Sequence, residues 1–288
     1  MADFDQDDGS QYSTYQDDAT HGDGLTRIQW RHGDKKHQSA GFFFLTKESA
    51  PEGFTPTGST WVEHREYFES TDKTIEGWKI EKLQAAIICA RAQPYVRGEK
   101  GDAPIWLDQW DASRNCAMHA DVLLVADGLQ DLGPVKWSTN GSTVAFAIIG
   151  RADPKRDPQG GILHRMREEV LAAADAVSKV AYRKKKNLYW LFWATIGTER
   201  DAKGNVVYTA TKGPMVTIPR LQLPNMVDTA WLKKAFVGSD MAAYGEEMRG
   251  LYDEWKLTKF TNDAPQAPGP GSTPAGRNQP QPVEDLPF

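Results

Sequence analysis

The residues of this chain whose types and spacing could do chemistry fall in two places. The first is the final stretch, Pro282-Val283-Glu284-Asp285-Leu286-Pro287-Phe288. Two acids lead into an aliphatic–proline–aromatic end, and the last ring sits on the residue that bears the α-carboxylate. Such an end can put its ring in an apolar pocket while a basic residue meets the carboxylate. The second is Trp61–Glu69, where Trp61, Glu63, Arg65 and Tyr67 alternate and would share one face of a strand. Rings and a guanidinium on one pleated face suit base stacking with phosphate contact. They suit equally a half-exposed strand with a cross-strand cation–π pair. Arg183-Lys184-Lys185-Lys186 is the densest positive run. It reads either as a solvated helix end or as a corner that touches phosphate.

Covalent and metal chemistry find little support. No GxxxxGK[ST] or GxGxxG loop is present to cradle a phosphate. The six histidines are scattered, and neither HExxH nor CxxC occurs. There is no GxSxG elbow. Asp108, Asp111, Asp121 and Asp127 cluster near one apolar stretch and read as loop and edge acids. The expectation is a protein without catalytic residues, metal or cofactor.

Thr261–Gln281 is rich in Pro, Gly, Gln, Asn and Ser, with almost nothing apolar to bury. By composition it is a disordered tether for the terminal residues, spanning on the order of 25 Å. A Pro/Gly/Gln-rich linker followed by Glu284, Asp285, Leu286, Pro287 and Phe288 resembles the C-terminal end of bacterial and phage single-stranded DNA-binding proteins. The resemblance covers residues 261–288; no family motif is recognised in the body. It implies a body built on an OB-fold-like barrel, with sequence-independent binding of single-stranded DNA in replication and recombination. It also implies that the tip recruits replication and repair proteins in the cytoplasm of a bacterium or of a phage-infected host. On that basis the groove is expected to use Trp30, Arg31, Trp61, Arg65, Tyr67, Trp78, Lys79, Arg97, Lys136 and Trp137, with Lys184, Lys185 and Lys186 at its margin. Two other readings stay open: a phage recombination nuclease carrying such a tail, and a protein-only replisome adaptor. The oligomeric state is open too, with room for a homo-oligomer.

Composition bounds these readings. The chain has 288 residues, 40% hydrophobic and 25% charged, as a globular protein would. Ten tryptophans are unusually many. Some must be core, and enough remain for several to be exposed stacking rings. The net charge of −5 argues at first against a polyanion. However, residues 1–24 hold seven Asp and no Lys or Arg, and residues 261–288 carry a net −2, which leaves +4 on residues 25–260. Acidic ends could therefore lie over a basic body until a nucleic acid displaces them. No apolar run approaches the ~20 residues of a membrane helix. The first residues lack the basic and apolar regions of a signal peptide. Cys89 and Cys116, far apart, read as reduced thiols of a cytoplasmic protein.

The elements that would position these residues make an α+β, β-rich body over residues 25–260. Residues 1–24 are expected to be disordered. Leu25–Arg31, Ala40–Thr46 and Trp61–Glu69 alternate as strands. Glu76–Arg91 predicts one long strand or a strand pair, and Gln93–Gly101 a basic hairpin or loop. Ala120–Ala126 is a buried strand, and Pro134–Ser138 reads as an edge strand because Pro leads it. Gly141–Arg151 fits strand or short helix. Gly161–Lys186 keeps helical spacing and gathers cations at its end. Asn187–Gly197 and Asn205–Ile218 predict a hairpin, with Trp190 and Trp193 on opposite faces. Thr229–Lys259 predicts a final helix interrupted near Gly238.

Overall fold

In a computed structural model the chain is described at residues 24–32, 41–58, 60–68, 73–96, 104–111, 113–114, 116–140, 142–153, 157–178, 188–209, 215–253 and 255. Ten strands make one sheet: β1 Arg27–Arg31, β2 Phe42–Thr46, β3 Val62–Phe68, β4 Lys73–Ile80, β5 Lys82–Val96, β6 Ile105–Trp106, β7 Cys116–Ala126, β8 Val135–Asn140, β9 Ala194–Thr198 and β10 Pro219–Leu221. Their order is β10-β9-β5-β7-β8-β1-β2-β4-β3, with β6 on the side of β5. Neighbours are antiparallel except β1 and β8, which are parallel.

The centre is the β5–β7 ladder. It runs from Ala85↔Ala126 to Val96↔Cys116, with a bulge between Ile87 and Cys89. Leu83, Ala85, Ala86, Ile87 and Ile88 are buried, as are Val122, Leu123, Leu124, Val125 and Ala126. Consecutive rather than alternating apolar residues mark strands covered on both faces. The helices supply part of that cover: α1 Ser142–Ile149, α2 Ile162–Arg165, α3 Ala172–Val177, α4 Thr229–Ala235 and α5 Ser239–Tyr252. A π-helical stretch, Met166–Leu171, joins α2 to α3, so Ile162–Val177 is one run with a widened middle. It ends at Ser178, whose φ of −116° and ψ of 153° are extended. The remainder of the expected 161–186 helix lies outside the described residues, apart from the extended Ser178. Gly238, with φ of 89°, takes a backbone conformation that a side chain would strain, and it separates α4 from α5.

The register divides the β1–β2–β4 and β7–β8 side chains into two faces. One face holds Ile28, Trp30, Phe43, Leu45, Trp78, Val122 and Trp137. All are buried, and the Phe43 ring stands edge-on to Trp30 and Trp137 at 5.0 Å each. The other face of β1 and β2 carries Arg31, Phe42 and Phe44, and the β3–β4 hairpin folds back over it. Phe68, near the hairpin tip opposite Lys73, lies 6.3 Å from the Phe44 ring and beneath the Arg31 guanidinium. Gly77 permits the fold: a Cβ there would overlap the carbonyl oxygen of Leu45 and sit 2.8 Å from the Phe44 ring. Phe42, Phe44 and Phe68, with Ile75, form a small second core.

The barrel expected from the tail resemblance is not formed. The sheet curls enough that Thr198 Oγ1 donates to the Gly41 carbonyl at 2.7 Å and Thr217 N donates to the His32 carbonyl at 3.0 Å. Thr217 Oγ1 donates to the same His32 carbonyl at 2.7 Å, but these are local contacts between loops and strand ends and not a ladder. Among the described residues no ladder joins β3 or β2 to β9 or β10, so the sheet has two edges. An open mixed sheet with helices replaces the OB-fold-like barrel, and it overturns the resemblance to single-stranded DNA-binding proteins of that fold.

Other elements move as well. Val135–Asn140 is an interior strand between β7 and β1, because Pro134 precedes the ladder and costs it no donor. Glu76–Arg91 breaks at Glu81 into β4 and β5, and Gln93 to Val96 extend β5. Ser142–Ile149 is helix. Tyr189–Leu191 is a 3-10 turn and strand begins only at Ala194; Trp190 is buried and Trp193 half-buried. No described helix is long and apolar enough to cross a membrane.

Candidate nucleic-acid interface

The side chains expected to line a groove separate into three groups. Trp30, Trp61, Trp78 and Trp137 are core. Trp30 Nε1 donates to the Thr217 carbonyl at 3.2 Å, and Trp61 Nε1 to the Asp127 carbonyl at 3.0 Å. Trp137 has 0% of its surface exposed. As placed, none of the four can offer a ring face to a base: the strand period turns Trp30, Trp78 and Trp137 inward, and Trp61, just before β3, leaves the exposed face it was expected to share with Arg65 and Tyr67. Arg31, Lys79 and Lys136 lie on the opposite face but are engaged. Arg31 stacks 4.1 Å over Phe68, with its Nε 3.3 Å from Glu66 Oε1. Lys79 Nζ lies 5.4 Å over the Phe42 ring. Lys136 is buried between strands, and burial lowers its ammonium to about 8. Arg65 and Tyr67 are exposed with Glu63 on one face of β3, as the alternation required. Arg97, Lys184, Lys185 and Lys186 lie outside the described residues, as do Glu284, Asp285, Leu286, Pro287 and Phe288.

Lys136 carries a pH dependence. A lysine whose folded pKa falls below its unfolded value is least favourable to folding while charged in both states. Stability should therefore rise as pH goes from about 8 toward 10.5. Lys136→Met should abolish that rise. The shift corresponds to roughly 3 kcal/mol, and thermal melts of both proteins at pH 7 and 10 measure it.

Two clusters escaped the sequence. On β5, β7 and β8, Arg91, Asp121 and Ser138 face one another in register. Asp121 Oδ2 accepts from Arg91 Nη2 at 3.0 Å, and its Oδ1 from Ser138 Oγ at 2.7 Å, with His119 Nε2 2.9 Å away. The Arg91 guanidinium lies 4.0 Å over Trp255 and donates from Nη1 to the Trp255 carbonyl at 3.4 Å. Burial pushes Asp121 up, but His119, Arg91 and Ser138 together hold it below the usual carboxylate range. The pattern repeats on β3, where Glu66 joins Arg31 and His64, whose Nε2 is 2.9 Å from Glu66 Oε2. In both, a histidine two residues before an acid shares it with an arginine stacked on a ring. Ser, His and Asp thus meet around Asp121, but the hydroxyl donates to the carboxylate, so this arrangement does not poise the serine as a nucleophile. Among the described residues no group of three His, Cys, Asp or Glu could hold a metal ion.

The second missed feature is an exposed ring pair. Trp110, in the segment between β6 and β7, packs against Phe146 of α1 with centroids 6.0 Å apart and planes at 60°. The residues are 45% and 40% exposed. Met215 is also exposed. The sequence showed Trp110 but left residues 141–151 between strand and helix, so the pairing was not readable.

Comparisons of the chain with protein-family models, with curated proteins and with solved structures find no match. What the fold defines is therefore a class, an α+β protein with an open, curled, mixed sheet.

Proposed function

We propose that the protein binds single-stranded DNA with little sequence preference and acts by binding rather than catalysis. The observation that carries this reading is the Trp110–Phe146 pair. Two large rings left exposed, packed on each other at an angle, give unstacked bases a π-surface that a duplex with its bases paired and stacked cannot use. Tyr67 beside Arg65 on β3 adds a ring next to a cation. The charge pattern supports the same polyanion, because the positive balance is held between residues 25 and 260. Partner capture by Leu286, Pro287 and Phe288 belongs to this reading too. It rests on the chemistry of that end alone, with replication or repair proteins as the partners.

The test is an anisotropy titration with single- and double-stranded oligonucleotides at two ionic strengths. Single strands should bind more tightly. The log of affinity should fall with log salt at a slope of about −0.7 per phosphate neutralised. Indifference to oligo-dT in dilute buffer would end the proposal.

A further inference from the structure

Of the strand edges in the sheet, β3 is the long one. β10, at the other end of the order, has three residues and opens with Pro219, and β6 has two. β3 has seven, without proline or glycine, and among the described residues it pairs with β4 alone. An edge of this kind is a template for another strand, and proteins normally blunt it with charge. The charges here have a particular order. Glu63 and Arg65 are two residues apart, share a face and are 76% and 75% exposed at the side chain. Each already has an opposite charge on its own hairpin side: Lys47 Nζ is 3.6 Å from Glu63, and Arg65 Nη2 is 2.6 Å from Glu76. The face is thus neutral in sum, with alternating sign.

We propose that the outer edge of β3 pairs antiparallel with β3 of a second copy of this chain, with Glu63 of each copy opposite Arg65 of the other. Antiparallel pairing of identical strands about a two-fold axis normal to the sheet keeps each residue on its own face, as an isologous interface requires. With the axis at His64, position 63 of one copy stands directly across from position 65 of the other, twice. Opposed side chains in such pairs have Cβ atoms about 4.5–5.5 Å apart, close enough for both ion pairs. Moving the axis by one residue either way sets Glu63 against Glu63 or Arg65 against Arg65. The edge therefore both favours one register and opposes its neighbours. Two ten-stranded sheets would join at their free ends into one.

The test uses the full chain in sedimentation equilibrium or light scattering across a concentration series. The wild type should double its mass as concentration rises. Arg65→Glu sets Glu against Glu63 of the second copy, and Glu63→Arg sets Arg against Arg65, so each variant alone should stay monomeric where the wild type is dimeric. Mixed in equal amounts, the two variants restore both opposite-charge pairs and should recover the doubled mass. Any strain each substitution causes inside its own hairpin persists in the mixture, so recovery can only come from pairing between copies. A wild type that is monomeric throughout, a single variant that dimerises like the wild type, or a mixture that stays monomeric overturns the proposal.

Discussion

Asp121→Ala is expected to cost about 3–5 kcal/mol of stability, the usual range when one partner of a buried ion pair is removed and the other charge is left behind. The carboxylate is 2% exposed and is shared by Arg91, His119 and Ser138 on three adjacent positions of the sheet. Its loss takes from the guanidinium buried against Trp255 the acid it bonds, and from the Ser138 hydroxyl its acceptor. Chemical denaturation at pH 7 measures the difference. The pH dependence gives a second signature. Asp121 is held below the ordinary carboxylate range in the folded protein, so its contribution is fully present above the unfolded value and is lost only as pH falls toward the depressed folded one. The gap between wild type and variant should therefore persist through mildly acidic pH and close only in strong acid. Arg65→Ala is the contrast. Its pair with Glu76 lies in solvent, and in dilute, monomeric protein the melting temperature should hardly move. Were Asp121→Ala as mild as Arg65→Ala, the cluster would be ornamental, and the centre of the sheet would be held by packing alone.

The difference between those two residues also shows what could be read in advance. Local periodicity located β3, and with it the shared face of Glu63, Arg65 and Tyr67, because a strand face is set by residues two apart; it failed at Trp61, which lies before the strand and is buried. It placed the break at Gly238 for the same reason: one residue's backbone freedom decides it. The Asp121 cluster was out of reach. Its members come from β5, β7, β8 and Trp255, a few residues past α5, and nothing within one segment says that Arg91 and Ser138 share the carboxylate of Asp121. The four indoles failed differently. An alternating strand announces two faces without saying which is inside. The register sets Trp30, Trp78 and Trp137 on the inward face with Phe43 and Leu45 and puts Arg31, Lys79 and Lys136 on the reverse, while Trp61, outside β3, is held in the core with its Nε1 on the Asp127 carbonyl. Barrel closure was the least legible feature, since it is a pairing between the first and last strands of the order, and here the curl brings Gly41 to Thr198 without making it.

The Trp110–Phe146 pair leads to the second large effect. If bases stack on these rings, Trp110→Ala should weaken oligo-dT binding by about tenfold to a hundredfold, since one stacked base is worth roughly 1–3 kcal/mol. Phe146→Ala should lose a similar factor while keeping Trp110 as a fluorophore, whose quenching by oligo-dT should fall with the affinity. Both rings are substantially exposed, so neither change opens a core cavity, and melting temperatures should stay close to wild type. The decisive comparison is with salt. A ring carries no net charge and releases no counter-ion, so both variants should keep the wild-type slope of log affinity against log salt. Loss of affinity without loss of slope assigns stacking to the ring pair. Unchanged affinity in both ring variants would remove the observation on which the nucleic-acid reading rests, and would leave Trp110 and Phe146 as an apolar patch with another purpose.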